Sequence, residues 1–341
     1  MKKVSVVILN WNGAELLRRY LPSVCMHTPS DLAEIVVADN GSDDNSLEVL
    51  RDEFPQVAVI AMKANSGFAG GYNIALEQID SEYVVLLNSD VEVTPRWLEP
   101  LVEYADSHPE VAAIQPKILS CRNRGFFEHA GAAGGYIDRF GFPFCRGRLF
   151  ETVERDEGQY DSVTDVFWAT GACMFVRTRD YKDAGGLDRE FFAHMEEIDL
   201  CWRFHLMGKR VVCVPQSKVF HLGGATLDMD NPRKTYLNFR NNILMLYKNL
   251  PAQERDWLIF RRKLIDSLAA LGFLAKGKPD NVKAILNAHR DASSMIRSMY
   301  VHSHKEGGGH QILGIFPYSG RSVVTDYYMH GKKRFSDLRS V

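Results

Sequence analysis

Four times before residue 91, a short run of β-branched and aliphatic residues ends abruptly in a cluster of small polar side chains, and this rhythm constrains the fold more than any other feature. The runs Val4–Leu9, Glu34–Ala38, Val57–Ala61 and Tyr83–Leu87 have strand length and composition, and Gly13–Val24, Ser42–Glu53 and Gly70–Ile79 between them read as helices. Strands alternating with helices predict a mostly parallel sheet with crossover helices on its faces, an α/β fold. The clusters that close the strands are Asn10-Trp11-Asn12, Asp39-Asn40-Gly41-Ser42, Asn65-Ser66-Gly67 and Asn88-Ser89-Asp90. Ligands of open α/β sheets bind in the crevice beyond the carboxyl ends of the strands, so the four clusters are expected to converge on one site.

From Val111 to Val219 the pattern is strand-rich and irregular, and Gly125–Phe144 reads as a long loop or lid. Beyond Leu222 the chain turns helical. Asn231-Pro232 is a helix start, with Tyr236, Phe239, Ile243, Leu246 and Leu250 following at helical spacing. A second helix carries Trp257, Phe260, Leu264, Leu268 and Leu271 beside Arg255, Arg261, Arg262 and Lys263. That stripe either packs against the preceding domain or docks on an anionic membrane face. The tail contains Gly307-Gly308-Gly309 and His302, His304 and His310, spaced for a metal but read as a loop. The division expected is a catalytic domain over 1–230, with a nucleotide half to 110 and an acceptor half from 111, and a helical region over 231–341.

A hydrophobic fraction of 45% and a charged fraction of 25% belong to a globular chain rather than a disordered one. The net charge of -2 argues against wholesale nucleic-acid binding. Six cysteines without a CxxC pair read as reduced thiols of a cytoplasmic protein. No apolar run approaches the roughly 18 residues a membrane-spanning helix needs. Peripheral membrane contact and a homodimer are both compatible with this reading.

Hard divalent cations such as Mg2+ or Mn2+ prefer oxygen ligands and often take only one or two protein carboxylates, so Asp90 is either a metal ligand or the cap of a turn. Asp39 and Ser42 open a helix where a carboxylate and backbone N–H groups suit a base or ribose, or merely an N-cap. The glycine-rich entry Asn65 to Asn73, with Gly67 and Gly71, allows close backbone approach to a diphosphate. It is neither GxGxxG nor a Walker loop, which disfavours hydride transfer and NTP hydrolysis. Glu196, Glu197 and Asp199 fall within four positions beside aromatics including Trp202, and partial burial would suit one of them to general base work. His221 is a metal or phosphate ligand, or a structural histidine.

Taken in order, these segments from Val4 to about Asn242 resemble the inverting glycosyltransferases of family 2, with the GT-A fold, and in particular their rhamnosyltransferase-like branch. The resemblance implies that Asp39 contacts the nucleoside base with Asn10, Asn12 and Ser42 around it, and that Gly67, Gly71 and Asn73 form the diphosphate-side loop. Asp90 corresponds to the last acid of the family's DxD metal motif, with Asn88 where an Asp often stands. Thr170-Gly171-Ala172 is similar to the family's TGA element beside the sugar and acceptor pocket, and Arg240-Asn241 fits the closing helix. The segment from Glu196 to Arg203 is similar to ED-x-D-L-x-x-R, which makes Glu197 the catalytic base with Asp199 as understudy, and His221 matches the late histidine near the metal. The reaction implied by the resemblance is inverting transfer from a nucleoside-diphosphate donor, dTDP-rhamnose or a UDP-sugar, to a glycan or lipid-linked acceptor of bacterial surface polysaccharide. Two alternatives stay open on the residues alone: a nucleotidyltransferase acting on sugar phosphates, and a non-catalytic nucleotide-sugar-binding protein.

Overall fold

The computed structural model describes residues 2–223, 231–297 and 320–338. Its first half is the expected alternation: β1 (Val4–Asn10), α1 (Ala14–His27), β2 (Ala33–Asp39), α2 (Ser46–Glu53), β3 (Ala58–Ala61), α3 (Gly67–Leu76) and β4 (Tyr83–Asn88). β1 lies between β2 and β4, parallel to both, and β3 adds to β2 in parallel. Because successive side chains of a strand point to opposite faces, β1 feeds two cores. Val4, Val6 and Ile8 pack with Leu17, Leu21, Val49 and Leu50 of α1 and α2, whereas Val7 packs toward Ala69, Tyr72 and Leu76 of α3.

The second half contributes β5 (Val91–Val93), α4 (Glu99–Ser107), β6 (Val111–Ser120), four short strands β7 (Gly135–Ile137), β8 (Pro143–Cys145), β9 (Arg148–Leu149) and β10 (Thr152–Val153), then β11 (Thr164–Asp165), β12 (Cys173–Arg177), α5 (Thr178–Asp183), α6 (Glu196–Leu206) and β13 (Arg210–His221). Among the described residues the main sheet runs β11-β13-β6-β12-β4-β1-β2-β3, with β5 also on β13. β12 is antiparallel to both β4 and β6, so the sheet is mostly parallel with an antiparallel insertion. The mostly parallel sheet flanked by helices that the sequence implies is therefore present.

Gly125–Phe144 is not a lid. β7 and β8 begin there a second, antiparallel sheet that β9 and β10 complete, and Phe127, Ala132, Ala133, Tyr136, Ile137 and Phe144 are buried. Its glycines serve close packing: a Cβ on Gly135 would come within 2.0 Å of the Trp168 ring.

The C-terminal helices are α7 (Pro232–Asn249), α8 (Ala252–Ala275), α9 (Pro279–Ile296) and α10 (Val323–Tyr328). The Asn231 side chain caps α7 by accepting from Arg233 N–H at 2.9 Å. From Asn241 to Leu246 this helix is buried on every side, between the catalytic half and α9. The stripe on α8 does not pack inward: Trp257, Phe260, Leu264, Leu268 and Leu271 are exposed, while Ile259, Arg262 and Asp266 face the protein. His302, His304, His310 and the triple glycine lie outside the described residues.

Candidate active site

The carboxyl ends of β1, β2 and β4 come together. Asp39 is buried, and its Oδ1 accepts from Asn10 Nδ2 at 3.0 Å and from the Ser42 hydroxyl at 2.6 Å, while its Oδ2 accepts from Ser42 N–H at 3.0 Å. Asn12 N–H donates to Ser42 Oγ at 2.9 Å, and Asn12 Oδ1 accepts from Asp43 N–H at 2.9 Å. The four residues assigned to one pocket thus form one network, with the indole of Trp11 half-exposed beside it.

The glycine-rich entry is employed differently. α3 begins at Gly67, not Gly70, because Gly67 takes φ +74° and its N–H donates to Asn65 Oδ1 at 2.8 Å. The first α3 amides are already engaged: the Phe192 carbonyl accepts from Phe68 N–H at 2.8 Å and Ala69 N–H at 3.4 Å. Gly71 makes room for Leu9 and Asn40, whose atoms a Cβ would approach to 2.7 and 3.0 Å. Asn73 is wholly committed within the protein. Its Nδ2 donates to the Leu187 carbonyl at 2.7 Å, and its Oδ1 accepts from Leu187 N–H at 3.0 Å and from the Tyr181 hydroxyl at 2.6 Å.

Asp90 meets His221 because β5, directly after it, pairs antiparallel with β13, aligning Val91 with His221. Asp90 Oδ1 lies 3.1 Å from His221 Nε2, and Asn88 Nδ2 lies 3.5 Å from the same nitrogen. On the other side of the ring stands Glu128, which the sequence did not single out: its Oε2 is 3.4 Å from His221 Nδ1, an ion-pair contact longer than a full hydrogen bond. β6 runs beside β13, and the Glu128 N–H donates to the Ile118 carbonyl of β6, which brings the acid to the histidine. Burial opposes the charged imidazole, but the hydrogen bonds and charges of Asp90 and Glu128 prevail and raise His221 to about 10. Glu128 is held below its ordinary range by the same histidine, against the effect of burial.

A carboxylate oxygen and an imidazole nitrogen side by side make a donor pair that Mg2+ or Mn2+ accepts. Among the described residues no cluster of three or more His, Cys, Asp or Glu has metal-binding geometry. The pair fits a cation that draws the rest of its shell from water and donor phosphates, the ordinary habit of Mg2+.

The acids of α6 divide sharply. Asp199 is fully buried in an ionic network: Arg203 Nη2 lies 2.8 Å from Oδ2, Lys248 Nζ lies 3.1 Å from Oδ1, and Asn249 Nδ2 donates to Oδ1 at 2.7 Å. Despite burial, those cations hold its carboxyl below the usual range. Glu196 and Glu197 have no such company, and Oε2 of each is buried without a hydrogen-bond partner among the described residues. Burial, with repulsion from Glu197, pushes Glu196 well up, and burial raises Glu197 to about 7 despite helix N-terminal amides that lower it.

The approach to α6 is strained. Phe192, His194 and Met195 have φ of +62°, +71° and +73°, a region that costs a non-glycine residue about 1–3 kcal/mol. Asn241 of α7 holds this segment, donating from Nδ2 to the carbonyls of Phe191, Ala193 and His194 at 2.9, 2.9 and 2.8 Å. Neither Asn241's role nor that of Lys248 is visible in local sequence.

Thr170 and Gly171 sit beside the end of β4, where Asn88 N–H donates to the Ala172 carbonyl at 3.0 Å. Trp202 is a core residue, edge-on to Phe167 at 5.3 Å, with an indole N–H that lacks a partner among the described residues.

Residues 5–180 match Glycosyl transferase family 2, just over half of the chain. An N-acetylglucosaminyl-diphospho-decaprenol L-rhamnosyltransferase of Mycobacterium tuberculosis (strain CDC 1551 / Oshkosh) is 27% identical over 232 residues, spanning 63% of this chain and 75% of that protein. The rhamnosyltransferase WbbL of Escherichia coli (strain K12) is 23% identical over 225 residues, 64% of this chain and 83% of its own. Among solved structures, Staphylococcus aureus TarS 1-349 in complex with UDP-GlcNAc superposes with a TM-score of 0.57 at 18% identity, over 87% of this chain and 82% of that one. A Pyrobaculum calidifontis mannosyltransferase in complex with GDP-Man and Mn2+ gives 0.52 at 15% identity, over 87% and 79%. The structural likenesses establish the GT-A fold and the sequence match establishes the family. The chain is a glycosyltransferase of family 2, similar within that family to its rhamnosyltransferases.

Proposed function

We propose that this enzyme transfers a hexosyl unit, rhamnose foremost, from a nucleoside-diphosphate donor to a glycan or lipid-linked acceptor with inversion of configuration, in the building of bacterial surface polysaccharide. The observation that carries the reading is the contrast on α6: Glu197 has an oxygen without a partner and is raised to about 7, whereas Asp199 is locked by Arg203, Lys248 and Asn249. A general base must accept a proton near neutral pH, and only the first carboxylate is free to do so.

In the step, an acceptor hydroxyl gives its proton to Glu197 as its oxygen bonds the anomeric carbon, and the bond to the diphosphate oxygen breaks on the opposite face. Asp39, Asn10, Asn12 and Ser42 bind the nucleoside, with Gly67 and Gly71 shaping the floor beneath the diphosphate and Asn73 bracing it. Thr170, Gly171, Asn88 and Glu196 border the sugar and acceptor, with Trp202 packed in the core behind them. Asp90 and His221 would hold Mg2+ or Mn2+, which offsets charge on the departing diphosphate. Residues 1–230 carry the transfer and 231–341 support it. Among the described residues no helix is long and apolar enough to cross a membrane. The exposed stripe of α8, with Arg261 on the same side, suits a peripheral contact on the inner face of an anionic membrane, where a lipid-linked acceptor would be met.

The test is transfer by the full chain from dTDP-rhamnose and UDP-sugars with Mn2+, comparing wild type with Glu197→Gln. A loss of about 10²- to 10⁴-fold in kcat, with donor binding retained, is expected for a general base. Donor binding without turnover by the wild type against any acceptor would instead make this a binding protein.

A further inference from the structure

Glu128 has no part in the transfer step, yet the protein is built closely around it. It is 5% exposed and lies across His221 from Asp90, both of these being 6% exposed. Ala130 N–H donates to its Oε2 at 2.5 Å. Gly223, at φ +64°, passes so near that a Cβ would approach Glu128 Oε1 to 2.6 Å. A buried carboxylate is costly unless its charge is used, and the charge nearest to hand is the imidazole of His221, 3.4 Å away.

The two acids flank opposite nitrogens of one ring. Asp90 and Asn88 face Nε2, and Glu128 faces Nδ1. Nδ1 thus faces a carboxylate already held by Ala130 N–H, and Nε2 faces the Asp90 side. A metal-binding histidine usually presents its second ring N–H to a carboxylate, which fixes the tautomer and makes the ligating nitrogen more basic.

We propose that Glu128 is a positioning residue for the metal centre: it keeps a proton on His221 Nδ1 and thereby turns the Nε2 lone pair toward Asp90 for a divalent cation. This rests on the reading of Asp90 and His221 as the protein's metal ligands. Binding of a cation would displace the Nε2 proton, and the two carboxylates with the imidazole then neutral balance a dication. With Glu128 replaced by an amide, the balance is short by one charge, and the amide N–H can donate to Nδ1, forcing the proton to the side where the metal should bind.

Mn2+ alone is titrated into the full chain and free Mn2+ is read by electron paramagnetic resonance, for wild type, Glu128→Gln, Glu128→Asp and Asp90→Asn. Thermal unfolding midpoints are taken with and without Mn2+. Glu128→Gln is expected to weaken Mn2+ binding about 10- to 100-fold and to shrink the rise in midpoint that Mn2+ produces. A purely structural Glu128 would lower the metal-free midpoint and leave the affinity of the folded protein unchanged, and that result overturns the inference. If Glu128→Gln does not fold, Glu128→Asp, which draws the carboxylate back by one methylene, carries the same criterion. If Asp90→Asn also binds Mn2+ like wild type, the metal reading itself falls, whereas loss in Asp90→Asn with none in Glu128→Gln removes Glu128 alone.

Discussion

Glu197 and Asp199 stand two positions apart at the start of one helix and are held in opposite states. The Asp199 carboxylate is fully buried against Arg203, Lys248 and Asn249, while Glu197 keeps an oxygen without a partner among the described residues. Lys248 also reaches Asp188 at 2.5 Å, so Asp199 ties α6 to α7 and to the turn before the strained Phe192–Met195 segment.

Removing either acid should therefore fail differently. Asp199→Asn leaves two buried cations short of a counter-charge and should destabilise the fold by about 3–5 kcal/mol. At pH 8 Glu197→Gln should unfold at a higher denaturant concentration than wild type and lose transfer. Urea unfolding beside a transfer assay checks both, and a stable, inactive Asp199→Asn with an active Glu197→Gln would reverse the roles.

The pH dependence carries a sign that can be worked out. Burial raises the Glu197 carboxyl from 4.5 to about 7, so the basic form fills only above that pH. Transfer should fall as pH drops from about 8 to about 6. Between about 4.5 and 7 the native state binds the proton that the unfolded chain has released, so the glutamate's contribution to stability is lost as pH rises through this window. Glu197→Gln escapes that loss and should be more stable than wild type at pH 8 by about 1–3 kcal/mol. Equal stability of the two at pH 8 would contradict the raised carboxyl.

Asn73→Ala separates bracing from ligand contact. It strands the Leu187 carbonyl and leaves the Leu187 N–H and the Tyr181 hydroxyl only their 3.3 Å bond to each other. A cost of about 1–3 kcal/mol in unfolding free energy is expected, with nucleotide affinity of the folded protein unchanged by calorimetric titration.

On α8, Leu264→Ser with Leu268→Glu touches side chains that are 55% and 65% exposed, so the thermal midpoint should move little. Co-sedimentation with vesicles containing phosphatidylglycerol should be lost. Retained sedimentation would remove α8 as the membrane face.

Much of the catalytic half was legible from local pattern. Val4–Leu9 and Tyr83–Leu87 are apolar on both faces because the parallel sheet is covered on both sides, and their polar ends mark the crevice wherever the strands lie. α3 starts three residues before its helical pattern because the turn at Gly67 is set by Asn65 and by the Phe192 carbonyl. Gly125–Phe144 reads as a loop in sequence because its strands β7 and β8 are three residues long and too short to show a period.

The sequence by itself determined the sheet, the order of the polar clusters, the family and the candidacy of Asp90, His221 and Glu197, since each depends on neighbours within a few residues. Only the tertiary structure decided that Asp199 is locked while Glu196 and Glu197 each keep an oxygen without a partner among the described residues, that Asn73 bonds Leu187 and Tyr181, that the α8 stripe points outward, and that Glu128 stands behind His221. Those outcomes depend on strand register and on helices brought together over tens to more than a hundred residues: Asp90 and His221 are 131 positions apart, and Asp199 and Lys248 are 49. A carboxylate's chemistry follows from the charge that packs against it, and that partner is chosen by the fold.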